Sequence, residues 1–124
     1  MRTSTLCWLC SAALAIQILS LGSLPFELRE PFDKVFHALA FGSLTMMLWI
    51  ATGGRRPLWV VAGVMALGLI DEVRQAFIPA RTADIADFLA DALAACAVGA
   101  LLYWKQQGLQ KPCAESSARS REET

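Results

Sequence analysis

A charged stretch between two long apolar runs limits what this chain can fold into more than any other feature. The stretch, Ile70 to Asp91, holds five of the eleven acidic residues of the chain. Apolar residues dominate the run before it, Pro57 to Ile70, and the run after it, Ala92 to Trp104. A charged turn between two such runs is typical of a helical hairpin in a lipid bilayer. We therefore expect a membrane protein with a polar end at this turn.

The composition favours lipid as the surrounding medium. The 124 residues are 56% hydrophobic and 18% charged, whereas soluble domains carry about 25% charged residues. The length suits a single domain. The formal net charge is zero, which gives no support to a nucleic-acid partner. We expect the lipid bilayer to be the main partner.

The four cysteines do not form a pattern that binds a metal or builds a disulfide framework. Cys7 and Cys10 form a C-x-x-C pair in an apolar run, but no second pair completes a zinc site. Cys96 and Cys113 stand alone. The sequence also lacks a P-loop, a Gly-rich nucleotide fingerprint and an H-E-x-x-H motif. We therefore expect no cofactor and no metal.

Hydrophobic runs and their breaks predict an all-α fold, an integral membrane four-helix bundle with short loops. The prolines fall in loops, at a helix start or in the tail, and Gly53 and Gly54 fall at one break, as is usual between helices. We expect Asp33 to cap the second helix and Pro57 to begin the third. The polar segment 105–124 is expected to be a disordered tail, which leaves residues 1–104 as one transmembrane domain. The four predicted helices span residues 5–24, 33–51, 57–78 and 83–104.

The first apolar segment has a second interpretation. It is long enough to cross a bilayer as a helix, but it also resembles a signal peptide. Met1 and Arg2 precede an apolar core, and small residues follow at 20–23. We prefer a retained helix, because removing the segment would leave an odd number of spans.

Lys and Arg residues predict on which side of the membrane each loop lies. Four spans put both termini and the loop 52–57 on one side, which holds seven Lys and Arg residues against four on the other. We therefore expect a multi-pass protein of the bacterial cytoplasmic membrane with both termini in the cytoplasm. The six Phe residues fall toward the outer helix ends. The residues expected near the cytoplasmic ends, as half of an interfacial belt, are Trp8, Trp49, Trp59, Tyr103 and Trp104.

Three groups of polar residues converge on the outer half of the predicted bundle. One lies at the start of helix two, one in the last turns of helix three, and one along the turn and helix four. Residues three or four apart share a helix face, so Asp33 faces the same way as His37. Charged groups within a bilayer are costly unless they face the bundle interior and pair. The candidate site residues are Asp33, Lys34, His37, Asp71, Glu72, Gln75, Arg81, Asp84, Asp87 and Asp91.

A purely structural role is the alternative for these residues. A carboxylate at a helix N-terminus is favourable through the helix dipole, so Asp33 and Asp84 could be caps and nothing more. The acids inside helices could form ion pairs that fix the helix register. We favour a functional polar cluster for His37, Asp71 and Asp91, together with Glu72, because they lie within helices rather than at the ends.

Two motifs among these residues resemble the VanZ-like family of small bacterial integral membrane proteins. The motifs are D-K-x-x-H and D-E-x-x-Q-x-F-x-P-x-R-x-x-D-x-x-D, and the resemblance covers about Asp33 to Gly99. Asp91 stands where many members are expected to have Asn, and Ala94 where they are expected to have Gly. The positions that match the two motifs are Asp33, Lys34, His37, Asp71, Glu72, Gln75, Arg81, Asp84 and Asp87.

The resemblance implies a role at the cell envelope, because the family takes its name from a member linked to teicoplanin resistance. We expect an outward-facing polar site that binds a cell-wall precursor, a glycopeptide or a lipid headgroup. One alternative is a membrane-embedded enzyme on a lipid-linked substrate, with His37 as acid/base and Asp71 or Asp87 orienting it. Another is a small proton-coupled carrier or a helper subunit.

Overall fold

The computed structural model describes residues 2–21, 32–78 and 84–122, with side chains described over 5–20, 32–78 and 84–109. This part of the chain forms four α-helices and no β-strand, which confirms an all-α fold of four helices. The helices are α1 (Arg2–Leu21), α2 (Phe32–Thr52), α3 (Pro57–Gln75) and α4 (Ile85–Glu122).

Glycine and proline set the boundary between α2 and α3. Gly53 and Gly54 have φ angles of 63° and 68°, a left-handed conformation that glycine adopts without a steric cost. Their N–H groups donate to the carbonyl oxygens of Ile50 and Trp49, respectively, which closes the end of α2. Pro57 then lies in the first turn of α3, where its missing N–H costs no hydrogen bond.

The structure corrects the predicted end of the fourth helix. The helix α4 continues to Glu122 instead of ending near Trp104, so the segment expected to be disordered is helical up to that residue. Lys, Gln, Arg, Glu and Ala are good helix formers, and they make up much of the segment beyond Trp104. Polarity alone was therefore a poor guide to where the helix ends.

The start of the second helix also differs from the prediction. Because α2 begins at Phe32, Asp33 lies inside its first turn and not at the cap position. The predicted end of the first helix at residue 24 and the predicted turn at 79–83 lie outside the described residues.

The second helix is the centre of the bundle. It contacts the other three helices and packs most extensively along α4. The buried core is formed by Phe41 and Leu44 of α2, with Ile18 of α1, Val64 of α3 and Ala95 of α4. All four helices therefore contribute to one hydrophobic core.

Consecutive helices run in opposite directions. The start of α1, the end of α2 and the start of α3 therefore lie at one end of the bundle, and the starts of α2 and α4 lie at the other. Trp8 of α1, Thr52 of α2 and Trp59 of α3 line one cavity of about 520 Å³ at what we call the basic end, beside Arg55 and Arg56. At the opposite end, the acidic end, the starts of α2 and α4 meet through a contact between His37 and Asp91.

The bundle buries polar side chains and exposes apolar ones. Among the described residues, eight hydrophobic and eight polar or charged residues are buried, whereas 23 large hydrophobic side chains are exposed. Leu58 and Phe77 are each 83% exposed. A soluble protein rarely exposes large contiguous apolar patches, so this surface is compatible with surrounding lipid.

Two helices are long and apolar enough to cross a membrane by length and composition, Phe32–Thr52 and Ile85–Leu109. The apolar part of α1 is shorter, at Thr5–Ser20. The predicted aromatic belt is only partly exposed. Trp59 and Trp104 are 78% and 72% exposed, but Trp49 is only 7% exposed and packs inside the bundle.

Candidate functional site

Polar side chains lie together at the acidic end. Those described next lie on the same face of their helix as residues of the hydrophobic core. His37 lies one turn before the core residue Phe41, and Asp91 lies one turn before the core residue Ala95. Because residues four apart share a helix face, the faces that bury apolar groups at mid-bundle bury polar groups at its end. What we call the polar cluster comprises Asp33, Lys34, His37, Asp71, Glu72, Arg74, Gln75, Asp84, Asp87 and Asp91.

A contact between His37 and Asp91 joins α2 to α4. The His37 Nδ1 atom lies 3.0 Å from Asp91 Oδ1 and 3.3 Å from Oδ2. The two residues are only 8% and 1% exposed. A carboxylate accepts hydrogen bonds, so Nδ1–H donates and Nε2 is left as the second ring nitrogen. This contact fixes the orientation of the imidazole ring.

In the structure Asp91 is the carboxylate that orients the His37 ring, and not either of the residues that the enzyme hypothesis expected. That hypothesis assigned the role to Asp71 or Asp87. Asp71 instead accepts hydrogen bonds from its own helix, from Arg74 Nη2 at 2.7 Å and from Gln75 Nε2 at 2.9 Å. Sequence spacing gives the residues that share a face on one helix, but not which residue on another helix lies at the same depth.

Two apolar positions shape the surroundings of the imidazole ring. The Phe41 ring stacks with the His37 ring, with centroids 6.1 Å apart and an interplanar angle of 6°. A Cβ atom at Gly68 would lie 3.2 Å from Asp91 Oδ2, so the glycine allows α3 to approach the carboxylate closely. The sequence prediction placed the six Phe residues, Phe41 among them, toward the outer helix ends, and it did not include Phe41 or Gly68 among the candidate site residues.

Lys34 holds the start of α4 against α2. Its Nζ atom lies 3.3 Å from Asp84 Oδ2 and 3.5 Å from Asp87 Oδ1. Asp84 also caps α4, because its Oδ1 accepts the backbone N–H of Ala86 at 2.9 Å. That hydrogen bond, assisted by Lys34, holds the pKa of the Asp84 carboxyl below its ordinary value. A cap and an ion pair therefore share one carboxylate.

Glu72 ties the end of α3 to the start of α4. Its Oε2 atom accepts the backbone N–H of Asp84 at 3.1 Å. Two buried carboxylate oxygens of the cluster, Glu72 Oε1 and Asp87 Oδ1, have no hydrogen-bond partner among the described residues. Buried polar atoms usually have a partner, so these two oxygens have the capacity to accept a further one.

Three side chains of the polar cluster lie close enough together to be considered as ligands of one metal ion. One carboxylate oxygen each from Asp33 and Asp87 and one ring nitrogen of His37 all lie within 4.8 Å of one another. Asp33 is half-buried, and the other two are buried. This spacing is short enough for a single cation to contact all three.

The structure brings nine of the ten predicted site residues to the acidic end of the bundle. The tenth, Arg81, lies outside the described residues. Arg74 joins the set through its bond to Asp71, although it was not among the candidate site residues predicted from the sequence. Its place three residues after Asp71 was the available signal, since that spacing puts both on one face.

A model of the VanZ/LLP1 family matches residues 5–107. No curated protein and no solved structure matches the chain.

Proposed function

The chain belongs to the VanZ/LLP1 family, and on that premise we propose that it is a multi-pass protein of the cytoplasmic membrane whose polar cluster faces outward and binds an envelope component. Residues 1–104 would form one domain of four membrane spans. The bound component would be a cell-wall precursor, a glycopeptide or a lipid headgroup, and the consequence would be a role in envelope processes or glycopeptide resistance.

The burial pattern supports the proposal that α1 and α3 also cross the membrane, although length and composition alone identify only α2 and α4 among the described residues. The charges of α3 lie in its last turns, and Asp71 and Glu72 are only 1% and 7% exposed. Its outward side chains at the same depth are apolar, since Ile70 and Val73 are 57% and 54% exposed. On α1, the polar Ser11 is buried and bonds to the carbonyl oxygen of Cys7. Lipid would therefore meet mostly apolar side chains on both helices.

The observation that carries the proposal is the buried His37–Asp91 contact within a concentration of carboxylates. Burying ionisable groups is costly, and within membrane proteins such groups mark functional pathways and binding sites more often than structural ones. The Lys and Arg distribution, seven against four, favours an outward acidic end.

The test is the glycopeptide susceptibility of a host that lacks the gene. We expect deletion to increase susceptibility to teicoplanin-type drugs and the wild-type gene to restore it. His37→Ala and Asp91→Ala should fail to restore it at equal protein level in the membrane. Ser20→Ala is a matched control, because Ser20 is exposed and bonds only to its own helix backbone at Ile16 in the described contacts. Unchanged susceptibility to several glycopeptides after deletion would contradict the proposal.

One observation favours a second function, a membrane-embedded enzyme on a lipid-linked substrate. The Asp91 carboxylate orients His37 through Nδ1, which leaves Nε2 available as a general acid or base. In that case His37→Gln should bind the envelope component with wild-type affinity while the phenotype is lost. Retention of the full phenotype in His37→Gln would exclude the enzyme.

A further inference from the structure

The donor set of Asp33, His37 and Asp87 has the composition of a transition-metal site. Their ligand atoms lie within 4.8 Å of one another. An ion about 2.0–2.2 Å from each atom would therefore draw the three side chains slightly closer together when it binds. Imidazole nitrogen favours zinc and other first-row transition metals, whereas carboxylate oxygen alone would favour magnesium or calcium. One nitrogen with two oxygens suits Zn²⁺ or Mn²⁺.

Asp91 supplies the second partner that a metal-binding histidine needs. Histidines that bind metals almost always donate their other ring N–H to a carboxylate or carbonyl, which fixes the tautomer and increases the basicity of the metal-binding nitrogen. The Nδ1–H of His37 donates to Asp91 at 3.0 Å, and Asp91 is 1% exposed. Nε2 is then the nitrogen that would bind the ion.

An unsatisfied oxygen within the donor set is an independent sign of a ligand. The Asp87 side chain is only 9% exposed, and its Oδ1 atom is buried without a hydrogen-bond partner among the described residues. Lys34 Nζ forms an ion pair with this oxygen at 3.5 Å, a distance that is too long for a good hydrogen bond. A bound cation would satisfy this oxygen.

The charge balance of the polar cluster also calls for a cation. Among the described residues of the polar cluster, six carboxylates, those of Asp33, Asp71, Glu72, Asp84, Asp87 and Asp91, lie with two permanent cations, Lys34 and Arg74. Buried charges are costly unless they are paired or coordinate metals. Protons can neutralise part of the excess, but they do not explain the convergence of a nitrogen and two oxygens on one point.

We propose that Asp33, His37 and Asp87 bind one divalent transition-metal ion, Zn²⁺ or Mn²⁺, with Asp91 as the outer partner of His37. The ion makes an acidic site able to hold an anionic group, such as the phosphate of a lipid headgroup or of a cell-wall precursor. This second step rests on the proposed function, whereas the metal site itself does not.

Mn²⁺ is the probe for the site, because its spectrum reports directly on nitrogen ligands. The protein is purified through a tag without histidines and placed in phosphatidylcholine nanodiscs. We expect one tightly bound Mn²⁺ per chain and a ¹⁴N coupling in pulsed electron paramagnetic resonance. Absence of the ¹⁴N coupling in the wild-type protein would overturn the proposal, and this result needs no variant to fold.

Substitutions then locate the ion. His37→Ala and Asp87→Asn should each weaken Mn²⁺ binding by more than about 100-fold, since loss of an outer partner alone costs about 10–100-fold. Asp91→Asn should fall within that smaller range. Ser20→Ala is the control, because Ser20 is exposed and lies outside the polar cluster, with its hydroxyl bonded to the carbonyl oxygen of Ile16 on its own helix. Equal affinity in His37→Ala, Asp87→Asn and the control would show adventitious binding and overturn the proposal.

Lys34 gives the site a competing cation. Its ammonium group lies 3.5 Å from Asp87 Oδ1, so it must move or share that carboxylate when the ion binds. Lys34→Met should therefore tighten Mn²⁺ binding. Weaker binding in this variant would contradict the assignment of Asp87 as a ligand.

The two proposals can fail separately. If chelation removes the ion and the anionic envelope component still binds with the same affinity, the bridging role of the metal is wrong and the proposed function stands. If Mn²⁺ binds as expected but deletion of the gene leaves glycopeptide susceptibility unchanged, the metal site stands and the proposed function is wrong.

Discussion

A buried carboxylate and a buried imidazole are each costly alone, and in this protein each lies against the other. Asp91 and His37 come from different helices, 54 positions apart. The sequence predicted that His37 and Asp33 share a face, because four-residue spacing on one helix fixes that relation. It did not predict Asp91 as the partner, because the rotation and depth of α4 relative to α2 depend on packing.

The energetic coupling of His37 and Asp91 can be measured by a double-mutant cycle. Asp91→Leu alone should lower the free energy of unfolding by about 3–5 kcal/mol, because it leaves a buried group without its partner. His37→Phe with Asp91→Leu should cost less than the sum of the two single changes, with a coupling energy of at least about 1 kcal/mol. The measurement is reversible unfolding in mixed detergent micelles, and additive single effects would contradict the contact.

Local signals at the scale of the helix element identified most boundaries, and the misses have physical causes. Gly53, Gly54 and Pro57 gave the break between α2 and α3 because each has a backbone property that a turn or a first helical turn requires. The extension of α4 to Glu122 was missed because polar residues were taken as a sign of disorder, although several of them favour helix.

The cap of α4 predicts a pH dependence. Asp84→Asn keeps the cap but loses the charge that faces Lys34, so the wild-type Tm should be higher at pH 7. The folded pKa of Asp84 is below its ordinary value. The stability from its ionised form is therefore present above the unfolded pKa of about 4 and is lost as the pH falls through the folded pKa.

Thermal unfolding of the two proteins from pH 7 to about pH 3 checks this sign. The Tm difference should shrink on acidification. Asp84→Ala should unfold at a lower temperature than Asp84→Asn throughout, since alanine provides no cap. A Tm difference that grows as the pH falls would contradict the account.

Close approach of α3 to Asp91 of α4 depends on Gly68. A side chain at Gly68 would meet Asp91 Oδ2 at 3.2 Å and Asp91 Cβ at 3.4 Å, whereas one at Gly63 would meet nothing within 4 Å. Gly68→Val should therefore lower the free energy of unfolding by about 1–3 kcal/mol relative to Gly63→Val, which is the cost of overpacking. The two variants share helix and residue types, so equal stabilities would show that α3 does not press on Asp91.

For the whole molecule, the sequence predicted the number of helices and the polar end, because hydrophobic segments and the breaks between them are visible in the order of the residues. The basic end around Arg55 and the acidic end around Asp84 face opposite ways. We propose four spans with the acidic end outside, because large apolar side chains cover the bundle surface and because Lys and Arg residues are concentrated at the other end. The metal site was not predicted, because its three ligands come from two helices whose alignment emerges only on folding.

Labelling of single cysteines by a membrane-impermeant maleimide tests the central claim most directly, that the bundle spans the membrane with its acidic end outside. Native cysteines are replaced, and Asp84→Cys and Arg55→Cys are introduced separately. The Asp84 side chain is 46% exposed, and Arg55 is exposed. In intact spheroplasts we expect label at Asp84→Cys, and label at Arg55→Cys only after lysis. Label at Arg55→Cys alone before lysis, or at both positions, would contradict the account.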